Sequence, residues 1–147
     1  MTKTVDLNAD MGESFGPWPM GQDAALLKIV SSANIACGFH AGDPDTMART
    51  MDFALAAGVA LGAHPGFADL QGFGRRRIKL SAAELTHLVQ YQLGAAMGMA
   101  AARGARLAHF KLHEASFAGY VLACTAVTFA LAGLSWHLVE KQALRWK

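Results

Sequence analysis

Ser31-Ser32-Ala33-Asn34-Ile35-Ala36-Cys37-Gly38-Phe39-His40-Ala41-Gly42-Asp43-Pro44 reads as one strand–loop–helix unit. Ala33 to Ala36 is a short, mostly apolar run bounded by a glycine, the pattern of a buried strand. Asp43 followed by Pro44 marks a helix start, because the carboxylate can accept from the first free backbone N–H groups and proline suits the first helical position. Between them, Cys37-Gly38-Phe39-His40 brings an imidazole directly off the strand, where a loop histidine is placed for proton transfer or metal ligation.

The same grammar extends in both directions. Upstream, Thr4-Val5-Asp6-Leu7-Asn8-Ala9-Asp10 alternates at period two, which predicts a strand with Val5, Leu7 and Ala9 on one side and Asp6, Asn8 and Asp10 on the other. Gly12, Gly16, Pro17 and Pro19 then enforce a loop, and Ala24, Leu26, Leu27, Ile29 and Val30 fit a short helix. Downstream, the helix that begins at Pro44 should stop at Gly58. Val59 to Ala63 is a third strand, and His64-Pro65-Gly66 opens a loop that also holds Gly72 and Gly74. Ser81 with Glu84 forms a capping box, so a helix should run to about Arg103 and end at Gly104. Leu107 to Lys111 is a fourth strand. Such alternation implies parallel strands joined by helical crossovers, hence an α/β domain and a barrel or part of one.

Composition narrows the classes. With 147 residues, 53% hydrophobic and 16% charged, the chain has the make-up of a folded domain and not of a disordered segment. Thirteen Lys and Arg against 11 Asp and Glu leave a formal charge of +2. The one compact basic run is Arg75-Arg76-Arg77-Ile78-Lys79, so no nucleic-acid partner is expected. Two cysteines, Cys37 and Cys124, and no signal-peptide pattern predict free thiols in the cytoplasm. Ala115 to Val139 carries no charged residue and could span a bilayer by length. Gly119, Thr125, Thr128, Gly133, Ser135 and His137 dilute it, so a core-packing helix is expected and a membrane anchor is the lesser reading. Neither a P-loop nor a nucleophile elbow occurs.

In parallel α/β architectures reactive groups gather at the carboxyl ends of strands. Asn8, Asp10 and Glu13 follow the first strand; Asn34 lies in the second, with His40 and Asp43 after it; His64 and Asp69 follow the third; Lys111 and His113 end the fourth. Four strands thus aim carboxylates, imidazoles and an ammonium at one rim. Plainer roles stand beside the functional ones: Asp43 as a helix cap, Asn34 as a satisfied core amide, Arg75 and Arg76 as a solvated run. Because Gly72-Phe73-Gly74 would let backbone approach an anion, Arg75 and Arg76 are also candidate anion-binding residues. Asp10, His40 and His64 are a carboxylate and two imidazoles suited to a divalent metal with open positions for water.

Three blocks carry a resemblance: Val5-Asp6-Leu7-Asn8-Ala9-Asp10-Met11-Gly12-Glu13-Ser14-Phe15-Gly16, then Ser31 to Pro44, then Gly62-Ala63-His64-Pro65-Gly66 with Asp69-Leu70-Gln71-Gly72-Phe73-Gly74-Arg75-Arg76. In this order they closely resemble the LamB/YcsF family, that of the A subunits of bacterial 5-oxoprolinase, over about residues 4–113. The resemblance implies an incomplete β/α barrel related to carbohydrate deacetylases. It implies a subunit that, with B and C subunits, opens the lactam of 5-oxoproline to L-glutamate while ATP is hydrolysed. On this reading Asp10, Glu13, His40, His64, Lys111 and His113 form the catalytic set, and Asn8, Asn34, Arg75 and Arg76 bind substrate or anion. Lys111-Leu112-His113-Glu114-Ala115-Ser116-Phe117 departs from the family's Lys-Pro-His-Gly-Ala-Leu-Tyr-like block, in which the lysine and the histidine survive but the proline and glycine do not. Family members are longer, so residues 1–113 read as the front of a barrel and residues 114–147 as an unmatched apolar helical tail, the pattern of a truncated copy. The alternatives are a non-catalytic remnant that binds a partner subunit or small acid, and a chain tethered to a membrane by residues 115–139.

Overall fold

The computed structural model describes residues 5–113. The apolar tail and Cys124 lie outside the described residues. The elements are β1 (Asn8–Met11), α1 (Asp23–Leu26), β2 (Ser32–Ala36), α2 (Pro44–Ala56), β3 (Ala60–His64), α3 (Ala82–Ala101) and β4 (Leu107–Phe110). All four strands are parallel and lie in the order β1-β2-β3-β4. The expected α/β domain with a parallel sheet is therefore present. Among the described residues no helix is long and apolar enough to cross a membrane.

The caps form as the sequence predicts. Asp43 accepts from the Thr46 N–H at 2.7 Å and Pro44 opens α2. Ser81 and Glu84 complete a capping box at the head of α3. Helices α2 and α3 pack on the sheet and on each other. Alternation along the strands turns Met11, Ala33, Ile35, Leu61 and Ala63 toward Met47, Met51, Val89, Leu93 and Ala96 of these helices, and this is the core.

Two expectations are corrected. Among the described residues the first strand begins at Asn8 and does not include Val5 to Leu7: Val5 is 81% exposed and Leu7 52% exposed. Asp6 is engaged by the hydroxyls of Ser31 and Ser32 instead. The first helix is a single turn, and Ile29 stays exposed while Leu27 is buried.

A one-residue irregularity sets the opposite face. Leu61 pairs with Leu107, but Gly62 pairs with His109, so β4 holds one extra residue at that point. This bulge leaves Leu107 against the core and swings His109 to the polar side. A Cβ at residue 62 would overlap the His109 ring, so glycine there lets the imidazole cross β3.

Candidate active site

The polar face is a hydrogen-bonded layer. Asn34 Nδ2 donates to Asn8 Oδ1 at 2.8 Å and to Asp10 Oδ1 at 2.9 Å, while Asn34 Oδ1 meets His109 Nε2 at 2.7 Å. Asn34 is thus the satisfied amide that its apolar strand suggests, and with Asn8 it holds Asp10 from beneath. His109 is not among the candidates that the sequence offers. Strict alternation places it with Leu107, and only the bulge separates them.

Above this layer the carboxyl ends of the strands converge. Lys111 Nζ donates to both Asp10 oxygens at 2.8 Å, and His64 Nε2 lies 3.4 Å from Asp10 Oδ2. Partial burial works to raise the Asp10 pKa; the contacts with His64, Lys111 and Asn34 outweigh it and hold the carboxyl well below the usual range. Asp10 is a fixed anion under an exposed ammonium.

Beside this pair sit three buried imidazoles. His64 Nε2 and His113 Nδ1 are 3.0 Å apart, and the His40 and His113 rings stack with centroids 4.0 Å apart. Glu13 Oε1 is 3.8 Å from His40 Nε2. Burial depresses the His40 pKa, against the opposing pull of Glu13. Burial, with repulsion from His40 and His64, brings His113 down to about 4. Glu13, His40, His64 and His113 each offer one ligand atom, all within 4.8 Å of one another, a group that could hold a metal ion. This set differs from the trio read from the sequence. Asp10 is taken up by Lys111 and Asn34, and Glu13 and His113 stand in the cluster with His40 and His64.

The glycine loop after β3 builds the wall. Asp69 is bound by the Arg76 guanidinium and by the Gly72 N–H at 3.0 Å, and the Arg76 contact holds its carboxyl at about 2. This places Arg76 on the loop and not in the cavity. The closure holds Phe73 at φ +53, which few non-glycine residues adopt, and aims its carbonyl at His113 Nε2, 2.7 Å away. His40 lies between Gly66 and Gly74, where a Cβ at either would come within 2.5 Å of it.

Gln92 of α3 completes the frame and is likewise absent from the sequence candidates. It is fully buried, accepts from the Gly66 N–H and donates to the Gly66 carbonyl, both at 2.9 Å, so it clamps the turn after His64. A signal for it exists in the sequence: a lone amide in a stripe of Val89, Leu93, Ala96 and Ala100. Asp10, Glu13, His64, Phe73, Arg75, Lys111, Leu112 and His113 line a cavity of about 420 Å³. That volume suits a small ligand.

The model of the LamB/YcsF family matches residues 5–130. The chain belongs to the LamB/YcsF family. The match runs past residue 113, where the resemblance read from the sequence ends. Two curated relatives carry the name of the A subunit of 5-oxoprolinase. The chain is 68% identical over 111 residues to the one from Ruegeria pomeroyi, covering 76% of this chain and 44% of that protein. It is 58% identical over 132 residues to the one from Methylococcus capsulatus, covering 90% and 50%. The crystal structure of the lactam utilization protein from Thermus thermophilus superposes with a TM-score of 0.78 at 45% identity, over 84% of this chain and 54% of that one. The chain spans about half the length of the curated relatives it matches.

Proposed function

We propose that this LamB/YcsF protein acts as a 5-oxoprolinase A-type subunit. It would open the lactam of 5-oxoproline to L-glutamate with ATP hydrolysis, in complex with B and C subunits. In this reading the four-stranded sheet is the N-terminal part of an incomplete β/α barrel of the carbohydrate-deacetylase type, to which the sequential strand order and the helices on one face correspond.

A lactam is a resonance-stabilised amide, so opening it requires activation of the carbonyl oxygen, a base for water and a proton for the leaving nitrogen. The observation that carries the proposal is the convergence of Asp10, His64 and Lys111 on one small cavity. Asp10 or Glu13, with the imidazoles of His40 and His64, handles the proton or a metal. Lys111 and Arg75, the cations lining the cavity, hold the substrate carboxylate or the anionic groups that ATP delivers. Asn8 and Asn34 act one layer down by positioning Asp10, and Arg76 acts by closing the glycine loop on Asp69.

Reconstitution with the two partner subunits and ATP, read as glutamate formation, tests this. His64→Ala and Asp10→Asn should each lower turnover by about 10²–10⁴-fold, the span of a lost general acid or base. Unchanged turnover in either would sink the assignment. The second reading is a chain that binds the small acid or a partner subunit without turnover. It is favoured by the two sheet edges, β1 and β4, that have no further strand beside them among the described residues. A complex that binds 5-oxoproline yet forms no glutamate with the unaltered chain would select it.

A further inference from the structure

The nitrogen atoms of the histidine cluster are arranged in a way that hydrogen bonding alone does not satisfy. His64 Nδ1 lies 2.7 Å from the Lys111 carbonyl oxygen, and His113 Nε2 lies 2.7 Å from the Phe73 carbonyl oxygen. A carbonyl only accepts, so each of these ring nitrogens carries the hydrogen. While the rings are neutral, the remaining nitrogens, His64 Nε2 and His113 Nδ1, are then both lone pairs, and they face each other at 3.0 Å with Asp10 Oδ2 3.4 Å from the first. His40 is 0% exposed, and neither of its nitrogens has a hydrogen-bond partner. Buried nitrogens are rarely left so.

We infer that Glu13, His40, His64 and His113 bind one divalent transition-metal ion, with the three imidazoles as its principal ligands. An ion at these nitrogens turns the opposed lone pairs of His64 and His113 into bonds, and His40, stacked on His113, gains its missing partner by turning its ring plane toward the ion. The two carbonyls then have the role usual for outer-sphere groups, fixing the tautomer and aim of ligating histidines. At metal–nitrogen bonds of about 2.0–2.1 Å, tetrahedral ligand atoms lie ~3.4 Å apart, close to the His64–His113 spacing. Imidazole-rich sites favour zinc, cobalt or nickel over magnesium or calcium, whose ligands are oxygens. Asp10, bonded to Lys111, stays outside the set.

The ion deepens the lactam-opening reading, on which its catalytic use rests, because it would sit at the wall of the same cavity; its binding does not require that reading. The full 147-residue chain, stripped with a chelator, is titrated with Zn²⁺ by calorimetry and with Co²⁺ by visible absorption, without ATP, substrate or partner subunits. One ion per chain is expected, with the Co²⁺ bands of a nitrogen-ligated site. His40→Gln and His113→Gln should each weaken binding by about 100-fold or more, beyond the loss from an outer-sphere change. Exposed His87→Ala should leave it unaltered. Circular dichroism identifies variants that fold. No uptake by the folded chain, or uptake that survives in a folded His40→Gln/His113→Gln double variant, overturns the site and leaves the rings sharing a proton. Zinc bound with no glutamate formed in the reconstituted complex would refute the lactam reading while leaving the site intact.

Discussion

The helix-covered face of the sheet and its polar face share four strands yet are held by different forces. On the covered face, Ile35, Leu61 and Met51 are removed from water, and each such side chain contributes about 1.5–3 kcal/mol through burial without regard to direction. On the polar face, Asn8, Asp10, Asn34 and His109 hold one another through directional bonds of 2.7–2.9 Å. The first face tolerates repacking, while the second depends on bonds that weaken steeply with distance and angle. Stability and site geometry should therefore separate under mutation.

The largest effect on stability belongs to the covered face. Met51→Ala should cost about 2–5 kcal/mol in denaturant unfolding, the usual loss for a large buried side chain, while metal affinity per folded molecule stays unchanged. A parallel loss of affinity in the folded fraction would show the faces to be coupled. Gly62→Ala tests the other face. The added methyl meets the His109 ring, so a cost of about 1–3 kcal/mol is expected together with displacement of His109 from Asn34. Histidine NMR reports that displacement; an unshifted His109 resonance would mean that the ring is not held as described.

Gln92 lies where the two faces meet. Its body sits in the apolar stripe of α3 while its amide clamps Gly66 behind His64. Gln92→Leu keeps the volume and strands two backbone groups, so the stability loss should fall at the lower end of about 1–3 kcal/mol. Metal affinity should fall as well, which a purely structural glutamine would not produce. Equal affinity in the folded variant would confine Gln92 to packing.

The difference between the faces also explains what is legible in the sequence. Alternation locates Ala33, Ile35, Leu61 and Ala63, and side-chain caps locate the starts of α2 and α3, because both signals are local. The strand ends that supply His40, His64, Lys111 and His113 are legible for the same reason. His109 is hidden because a bulge is a property of two paired strands and not of one. Val5 and Leu7 fit the alternation yet stay exposed, since a pattern does not show whether a helix layer covers it. Arg76 has the look of an anion ligand until the loop brings Asp69 to it, and Glu13 rather than Asp10 stands with the three imidazoles because Lys111 reaches Asp10 from the far end of the sheet.

Asp43 gives the smallest and most discriminating test, because it serves both regions with one carboxylate. Oδ1 caps α2 through the Thr46 N–H at 2.7 Å, and Oδ2 accepts from the Gly16 N–H at 2.8 Å on the loop that carries Glu13. Slight burial works to raise its pKa, but these backbone bonds outweigh it and lower the value from the ordinary 3.8. A carboxyl whose pKa is lower in the folded chain stabilises that chain fully above 3.8 and loses the contribution as the pH falls through the folded value. Asp43→Ala should therefore cost about 1 kcal/mol at neutral pH, the usual cost of a lost cap. Asp43→Asn, which retains an acceptor but cannot titrate, should cost less and flatten the acid limb of the stability curve below about pH 4. If Asp43→Asn also leaves metal affinity unaltered, the Gly16 bond serves the helix layer alone; weakened affinity would show that the cap reaches the Glu13 loop as well.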